Sequence, residues 1–136
     1  MNIYYTDTIE NVAEHMLHGF FTEFPNPPSP TTHLKLLHNS SYIILAIDAS
    51  TQQVVGFITA ISDNVLSAYI PLLEVLPDYQ GKGIGTELLK QLLSQLSHLY
   101  MIDLLCDAPL QAYYQRFGLQ PAPAMMIRHY ANQSGN

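Results

Sequence analysis

The stretch that decides the fold is LLEVLPDYQGKGIGT, residues 72–86. An apolar run ends at Leu76, three glycines follow at alternate positions, and a helical pattern of leucines begins near Gly83. This order predicts a strand, a tight turn and a helix. Glycines let a backbone adopt positive φ angles and approach a ligand closely, and the amides of such a turn beside a helix N-terminus attract anions. Since Lys82 adds a positive charge, the segment is predicted to bind a phosphate or pyrophosphate.

Two nucleotide-binding motifs fit this turn poorly. A Walker A loop places four residues between its first glycine and Gly-Lys-Ser/Thr, and that spacing is absent. A dinucleotide fingerprint requires a third glycine where this chain has Thr86, and it normally follows the first strand of a βαβ unit. Here the turn follows a predicted hairpin in mid-chain, so the sequence favours a different phosphate-bearing ligand.

Apolar periodicity predicts the remaining elements. Strands are expected near 2–5, 41–49, 53–61, 65–76, 100–106 and 125–130, and helices over 9–20, over 31–38, from Gly83 and after Asp107. The helix over 9–20 is expected because its apolar residues recur at helical spacing. This order predicts an α+β, or mixed α/β, fold in which helices pack on a sheet, and the length fits one domain over residues 1–136.

Composition excludes several classes of protein. With 48% hydrophobic and 12% charged residues, the chain is expected to be a compact globule. Its net charge of −6 argues against a nucleic-acid partner. The lone Cys106 excludes an intrachain disulfide and, within an apolar run, is expected to be an inert core thiol. No leader pattern or membrane-length apolar run is found, so a cytoplasmic protein without a membrane partner is expected. The histidines lack the paired spacing of zinc ligands, so no metal is expected.

The decisive stretch and a second one resemble a known family. QGKGIG, residues 80–85, resembles the Q/R-x-x-G-x-G/A loop of the GNAT superfamily of acetyl-CoA-dependent N-acetyltransferases. YYQRFGL, residues 113–119, is similar to that family's F-Y-x-x-x-G-F helix ending, with Tyr and Leu in place of the two phenylalanines. The resemblance implies a GNAT-like twisted mixed sheet of six or seven strands with splayed central strands, flanked by about four helices.

The resemblance also implies acetyl-CoA as co-substrate. Its pyrophosphate would lie on the amides of residues 80–86, and its pantetheine arm would lie along the preceding strand. The predicted cofactor-binding residues are Leu73, Glu74, Val75, Gln80, Gly81, Lys82, Gly83, Ile84, Gly85, Thr86, Tyr113, Tyr114 and Arg116, with Lys90 as a further candidate for the outer phosphates. Pro71 interrupts the strand, and a strand that parts from its neighbour explains it as well as an ordinary bulge does.

Tyr114 and Glu74 are the predicted catalytic residues. Tyr114 matches the family's tyrosine, which often protonates the CoA sulfur, although a half-buried ring with a solvated hydroxyl is the alternative. The family's glutamate position falls on Tyr69, which leaves the base open. Alternation along the strand puts Glu74 on the face opposite Tyr69 unless a bulge re-aims it. A water chain to Glu74, Asp63 or Glu23 is the working hypothesis.

The predicted function is transfer of an acetyl group from acetyl-CoA to a primary amine of a small molecule or peptide N-terminus by direct attack. A catalytically weak acyl-CoA-binding regulatory module and a structural subunit that pairs through a strand edge are the alternatives, and homodimerisation stays open. Residues 1–78 carry eight acids and one base, whereas residues 79–136 carry three acids and four bases. The first part could attract a cationic amine and the second an anionic cofactor.

Overall fold

The structure, a computed structural model, describes residues 2–136. Within these residues one five-stranded sheet carries its strands in chain order. The strands are β1 Ile3–Thr6, β2 Tyr42–Asp48, β3 Gln53–Ser62, β4 Ser67–Val75 and β5 Met101–Leu104, and the α-helices are α1 Pro30–Asn39, α2 Ile84–Gln95 and α3 Gln111–Gln115. No helix in this range is both long and apolar enough to cross a bilayer. The predicted mixed α/β class is confirmed.

Strand direction follows from the connections between the strands. β1 to β4 are antiparallel neighbours, whereas β5 runs parallel to β4. A parallel neighbour requires a crossover, and α2 supplies it by packing on one face of the sheet through Leu88, Leu89 and Leu92. On the opposite face, α1 and the segment before it bury a second cluster that includes Leu17 and Phe20. The sheet is therefore the middle of three layers.

Strand β4 and the edge strand β5 part midway. Their pairing stops at Ile70 and Leu104, while β4 continues beside β3 to Val75. Pro71 follows directly, and proline has no N–H to donate to a ladder. Pro71 also lies in a bulge, because the single β3 residue Ala60 faces both Ile70 and Pro71. Both explanations of this proline hold. The predicted splay is present between the fourth and fifth strands, although the fifth is an edge strand and not a central one.

The bulge changes which face each later side chain occupies. Before the bulge Ile70 packs on the α2 side, and after it Leu73 and Val75 do. Since side chains alternate along a strand, the extra residue puts Glu74 on the face opposite α2, which is also the face of Tyr69. The bulge needed to re-aim Glu74 is therefore part of the fold.

The helix predicted over 9–20 is wrong. Its apolar stripe is buried as expected, but the backbone forms only a 3-10 turn at Glu14–Met16. Asn11 and Gly19 adopt left-handed φ angles of 64° and 93°, which an α-helix cannot accommodate. The Gln53 side chain also binds two backbone carbonyls of this segment, at 2.8 and 3.1 Å. Periodicity predicted the burial of the segment but not its conformation.

The strand predicted over 125–130 is also wrong. Residues 119–129 contain no helix, strand or turn, and the tail beyond them is held elsewhere, since the Asn26 N–H donates to Gln133 Oε1 at 3.0 Å. Nothing in residues 2–136 pairs with the outer edge of β5. The described chain therefore has five strands where six or seven were expected, and three α-helices where about four were expected.

A buried histidine makes the stability of the fold depend on pH. His33 is 1% exposed among the rings of Phe20, Phe21 and Phe57, and neither of its ring nitrogens has a hydrogen-bond partner within residues 2–136. Burial lowers the pKa of His33 from 6.5 to about 4. The stability that depends on the neutral ring is therefore complete above pH 6.5 and is lost as the pH falls toward 4.

As the pH falls from 6.5 toward 4, we expect the titration of His33 to reduce the free energy of unfolding by up to about 3 kcal/mol. His33→Leu should remove this part of the pH dependence, because leucine keeps the ring's site apolar and cannot take up a proton. Urea unfolding of both proteins at several pH values measures the two slopes. Parallel slopes would show that another group sets the acid sensitivity.

Candidate functional site

The glycine turn leaves its amides free. Gly81 and Gly83 have φ angles of 75° and 84°, and nothing lies within 4 Å of the position that a Cβ would take at either. Across the part of the chain that the structure describes, the N–H groups of residues 81–86 donate no hydrogen bond to another protein atom. Because α2 begins at Ile84, the positive end of its dipole reinforces these amides. The turn therefore has the geometry that the predicted phosphate site requires.

Tyr113 closes one side of the turn. Its hydroxyl lies 3.0 Å from Thr86 Oγ1, and the Arg116 guanidinium stacks on its ring, 4.9 Å from the centroid. A Cβ at Gly85 would lie 3.7 Å from Val75 Cγ2 and 3.9 Å from the Tyr113 hydroxyl. The turn, the end of β4 and α3 therefore meet here, and they bring these five predicted binding residues together.

Beyond the β5 pairing, β4 presents a free backbone edge. The Leu76 N–H donates to Val55 O of β3 at 2.8 Å. Since the N–H direction alternates along a strand, the N–H groups of Leu73 and Val75 point away from β3, where β5 no longer pairs. On the same edge, Val75 O accepts from Gln80 Nε2 at 2.9 Å. An extended ligand could add to this edge in the manner of a further strand.

A cavity of about 380 Å³ opens where β4 and β5 part. Its walls include Pro71 and Leu73 of β4, Cys106 beyond β5 and Tyr114 of α3. Burial raises the pKa of the partly buried Tyr114 phenol above its ordinary value, and the neighbouring Cys106 and Tyr113 add to the shift. The phenol therefore keeps its proton at neutral pH and can offer it to a group in the cavity.

Glu74 lies outside the lining of this cavity. Both of its carboxylate oxygens accept from the Phe21 N–H, at 3.1 and 2.9 Å. Burial raises the pKa of Glu74, the Phe21 hydrogen bonds oppose the shift, and the charge of Glu23 adds to it. Phe21 has a left-handed φ of 63°, which is strained for a bulky residue. Glu74 therefore has a structural role in holding the segment that covers this face.

The other acids differ in their capacity to act as a base. Asp63 Oδ1 accepts from the backbone N–H groups of residues 65–67, and these bonds, led by that of Leu66, lower its pKa to about 2. A carboxylate stabilised in this way is a weak base. Glu74 is the acid whose pKa moves toward neutrality.

The acids, histidines and Cys106 of residues 2–136 form no group of three or more suited to a metal ion.

Several residues of the cavity wall were not predicted, among them Cys106, Met126 and Arg128. Cys106, two residues beyond β5, is partly exposed and lines the cavity beside Tyr114, so it is not a core thiol. Met126 and Arg128 line the same cavity from the segment after α3. Met126 and Arg128 reach the cavity through the path that the chain takes after Gly118. No periodicity or motif in the sequence indicates that path, so these two residues could not be predicted.

Comparison with known proteins identifies a family and several relatives of this chain. The chain matches the acetyltransferase (GNAT) family over residues 9–119. It is 34% identical over 91 residues to the uncharacterized N-acetyltransferase ycf52 of Pyropia yezoensis, which covers 64% of this chain and 52% of that protein. The ycf52 protein of Porphyra purpurea is 32% identical over 100 residues, with 69% and 57% covered. The chain thus spans about half the length of the curated relatives it matches.

A solved structure extends the likeness to the whole fold. A proposed acetyltransferase from Deinococcus radiodurans R1 matches with a TM-score of 0.94 and 42% identity, over 97% of this chain and 92% of that one. The chain belongs to the GNAT family of acetyltransferases. The predicted superfamily is confirmed, and acetyl transfer is the general activity that the family and its named relatives support.

Proposed function

We propose that this chain transfers the acetyl group of acetyl-CoA to the nitrogen of a primary amine, on a small molecule or at a peptide N-terminus. The observation that supports the proposal is an ordered path along β4. Free amides at residues 81–86 come first, the open edge at Val75 and Leu73 follows, and the cavity beside Tyr114 comes last. Acetyl-CoA presents a pyrophosphate, an amide-bearing arm and a thioester in the same order.

The residues of the path suit each part of acetyl-CoA. Backbone amides and charged donors bind phosphate strongly, so the turn with Lys82 and Arg116 would hold the phosphates, and Lys90 would add an outer contact. The N–H of Val75 would hold the arm, and the N–H of Leu73 would lie nearer the thioester because Leu73 lines the cavity. Of the predicted binding residues, Glu74 and Ile84 would contribute only backbone, because their side chains are engaged elsewhere.

The chemistry requires three tasks from the protein. Acetyl-CoA supplies an activated acetyl group, whose carbon bonds to the amine nitrogen as the C–S bond breaks. The Leu73 N–H at the β4 edge would stabilise the carbonyl oxygen, and Tyr114 would donate its proton to the departing sulfur. Water leading to Glu74 would remove the proton that the amine loses, and solvent would return a proton to Tyr114.

Glu74→Gln should separate a catalytic role from a structural one. The amide oxygen can still accept from the Phe21 N–H, and the raised pKa of Glu74 means that its charge opposes folding as the pH rises through that pKa. The variant should therefore be at least as stable as the parent at neutral pH. If Glu74 receives the amine proton, kcat should fall about 10²-fold and the acidic limb of the pH–rate profile should disappear.

Thermal unfolding and a thiol-release assay across pH measure both properties of Glu74→Gln. Glu23→Gln, prepared in parallel, tests the neighbouring carboxylate. Full activity in a stable Glu74→Gln protein, with a loss in Glu23→Gln, would move the base to Glu23.

The position of Glu74 favours a second candidate, an acyl-CoA-binding regulatory module with little catalysis. The acid whose pKa is raised does not line the cavity of Tyr114 and instead binds Phe21. Calorimetric titration with CoA and thiol release over a broad amine panel distinguish the candidates. Release of CoA with an acetylated amine in the mass spectrum supports the enzyme, and tight binding without release supports the module. Failure to bind CoA would favour a structural subunit.

We propose further that residues 1–136 form one catalytic domain that acts in the cytoplasm as a homodimer. Acetyl-CoA would be its co-substrate, and it would use no metal, nucleic acid or membrane partner.

A further inference from the structure

A buried carboxylate lies at the end of β2. Asp48 is 5% exposed and ends a strand whose preceding five residues are buried and apolar. Its Oδ2 accepts from the Tyr79 hydroxyl at 2.7 Å, and its Oδ1 accepts from the N–H and the hydroxyl of Ser50 at 3.0 and 2.6 Å. These hydrogen bonds, led by that of the Ser50 hydroxyl, lower the pKa of Asp48. A carboxylate is costly to bury without such donors, so the three donors explain how Asp48 stays ionised at this position.

The two partners of Asp48 connect it to different parts of the chain. Ser50 lies two residues away in the β2–β3 hairpin, so its bonds are local. Tyr79 lies 31 residues further along and ends the 3-10 turn Pro77–Tyr79, which leads directly into the glycine turn. The Tyr79 bond therefore joins the sheet to the start of the predicted phosphate site.

The far end of the glycine turn is fixed by packing. Residues 81–83 are exposed, and nothing lies within 4 Å of the Cβ position of either left-handed glycine among them. The helix that follows packs closely on β3, because a Cβ at Gly56 would lie only 3.1 Å from Leu88 Cδ1 and 3.2 Å from Ile84 Cγ2. The start of α2 is thus held against the sheet, while the turn before it has no such contact.

The near end of the turn depends on side-chain hydrogen bonds. Within the described chain, residues 77–83 make two bonds of this kind. That of Gln80 returns to Val75 O, five residues earlier in the chain. That of Tyr79 reaches Asp48 on another strand. The bond between Asp48 and Tyr79 is therefore the polar side-chain contact that fixes the entry to the turn relative to the sheet.

We propose that Asp48, acting through Tyr79, is a positioning residue that holds the glycine turn in its phosphate-binding conformation. The inference rests on the proposed function for the identity of the ligand, CoA. Amides that must be ordered when a ligand binds lose conformational entropy at that step, so a turn fixed beforehand binds more tightly. Asp48 acts through the protein and not on the ligand, because its negative charge would repel a phosphate and both of its oxygens are engaged.

Tyr79→Phe tests the positioning role. The variant loses the hydroxyl and keeps the ring, which packs against the apolar cluster beneath α2. Calorimetric titration should show the Kd for CoA raised about 5- to 10-fold, as expected for one lost hydrogen bond. The KM for acetyl-CoA should rise by a similar factor while kcat at saturation stays unchanged, since Tyr79 does not line the cavity of Tyr114. A purely structural residue would instead lower the amount of folded protein and leave the Kd of the folded fraction as it was.

A second variant and a matched control separate this bond from others nearby. Asp48→Asn offers one acceptor oxygen where the carboxylate offers two, so it should also raise the Kd for CoA. In the double variant with Tyr79→Phe the two effects should not add, because both act through one bond. Tyr4→Phe is the control. It removes a hydroxyl that lies 3.2 Å from Gln52 Oε1 on the same hairpin, and it should leave the Kd unchanged.

Trypsin cleavage after Lys82 measures the order of the turn without any ligand. Lys82 is exposed in the turn, and Lys35 is exposed in α1. Local opening governs cleavage of a folded protein, so Tyr79→Phe should speed cleavage after Lys82 several-fold relative to cleavage after Lys35. Mass spectrometry of the fragments gives this ratio. An unchanged ratio, an unchanged Kd for CoA or additive effects in the double variant would each overturn the positioning role.

The same measurements keep this inference apart from the proposed function. A parent protein that binds CoA and releases thiol, with a Tyr79→Phe variant of equal CoA affinity, overturns the positioning role alone. A parent protein that binds no CoA overturns the proposed enzyme, and faster cleavage after Lys82 in Tyr79→Phe would then still support the hold of Asp48 on the turn.

Discussion

Tyr114→Phe is expected to lower kcat for CoA release by about 10²- to 10³-fold, the range of a lost general acid, while the affinity for CoA stays nearly unchanged. The ring remains in the cavity wall and keeps its contact with Tyr113. The variant loses only a hydroxyl whose raised pKa keeps it protonated through the neutral range. The loss should therefore appear in kcat and not in CoA binding.

Thiol release under saturating substrates and calorimetric titration with CoA separate these two quantities. Tyr4→Phe is the control, because it removes a hydroxyl that binds Gln52 at the far edge of the sheet. Unchanged kcat in Tyr114→Phe across the pH range would remove the phenol from proton delivery and leave water as the acid.

Gly83→Val is expected to weaken CoA binding about 10- to 100-fold, because one or two charge-assisted hydrogen bonds from the turn would be lost. Gly83 holds a φ of 84° at the start of α2, and a β-branched residue is a strong outlier there. The backbone must shift to relieve the strain, and the shift re-aims the amides of residues 81–86.

Gly85→Ala is the matched control for this turn. Gly85 has no left-handed φ, and its added Cβ would make only ordinary contacts, the nearest at 3.7 Å. Alanine also favours a helix by about 0.5–1 kcal/mol over glycine. Calorimetric titration of both variants with CoA measures the difference, and Gly83→Ala gives a milder lesion if valine prevents folding. Equal affinities in the parent and both Gly83 variants would place the phosphates elsewhere.

The glycine turn could be predicted because its structure is local. Alternating glycines, an apolar run before them and a helical pattern after them specify the strand, the left-handed residues and the helix start within a few positions. The structure has left-handed Gly81 and Gly83, and α2 beginning at Ile84, as this pattern requires. The hairpin of β2 and β3 was predictable for the same reason.

The structural features that the sequence pattern did not predict depend on contacts between residues far apart in the chain. The segment around Phe21 is fixed by Glu74, which lies 53 residues further along the chain, and no local pattern encodes that bond. Gln133 binds the loop before α1. On its way to that contact the chain places Arg128 in the cavity wall. Family resemblance supplied a catalytic role for Tyr114, and nearness to the family's glutamate position suggested one for Glu74. Only the structure showed that the two side chains lie in different surroundings.

The bulge at Pro71 also bears on how related proteins are compared. Flattening the bulge with every residue kept would restore strict alternation, and the side chains from Leu72 to Val75 would exchange sides. Glu74 would then point into the leucines of α2, and Leu73 would take its place beside the N-terminal segment. Deleting the extra residue instead would leave Glu74 on its present side, at the same distance from the glycine turn and one position nearer the start of β4. Homologous carboxylates on this strand are thus matched by their distance from the glycine turn rather than by their distance from the start of the strand.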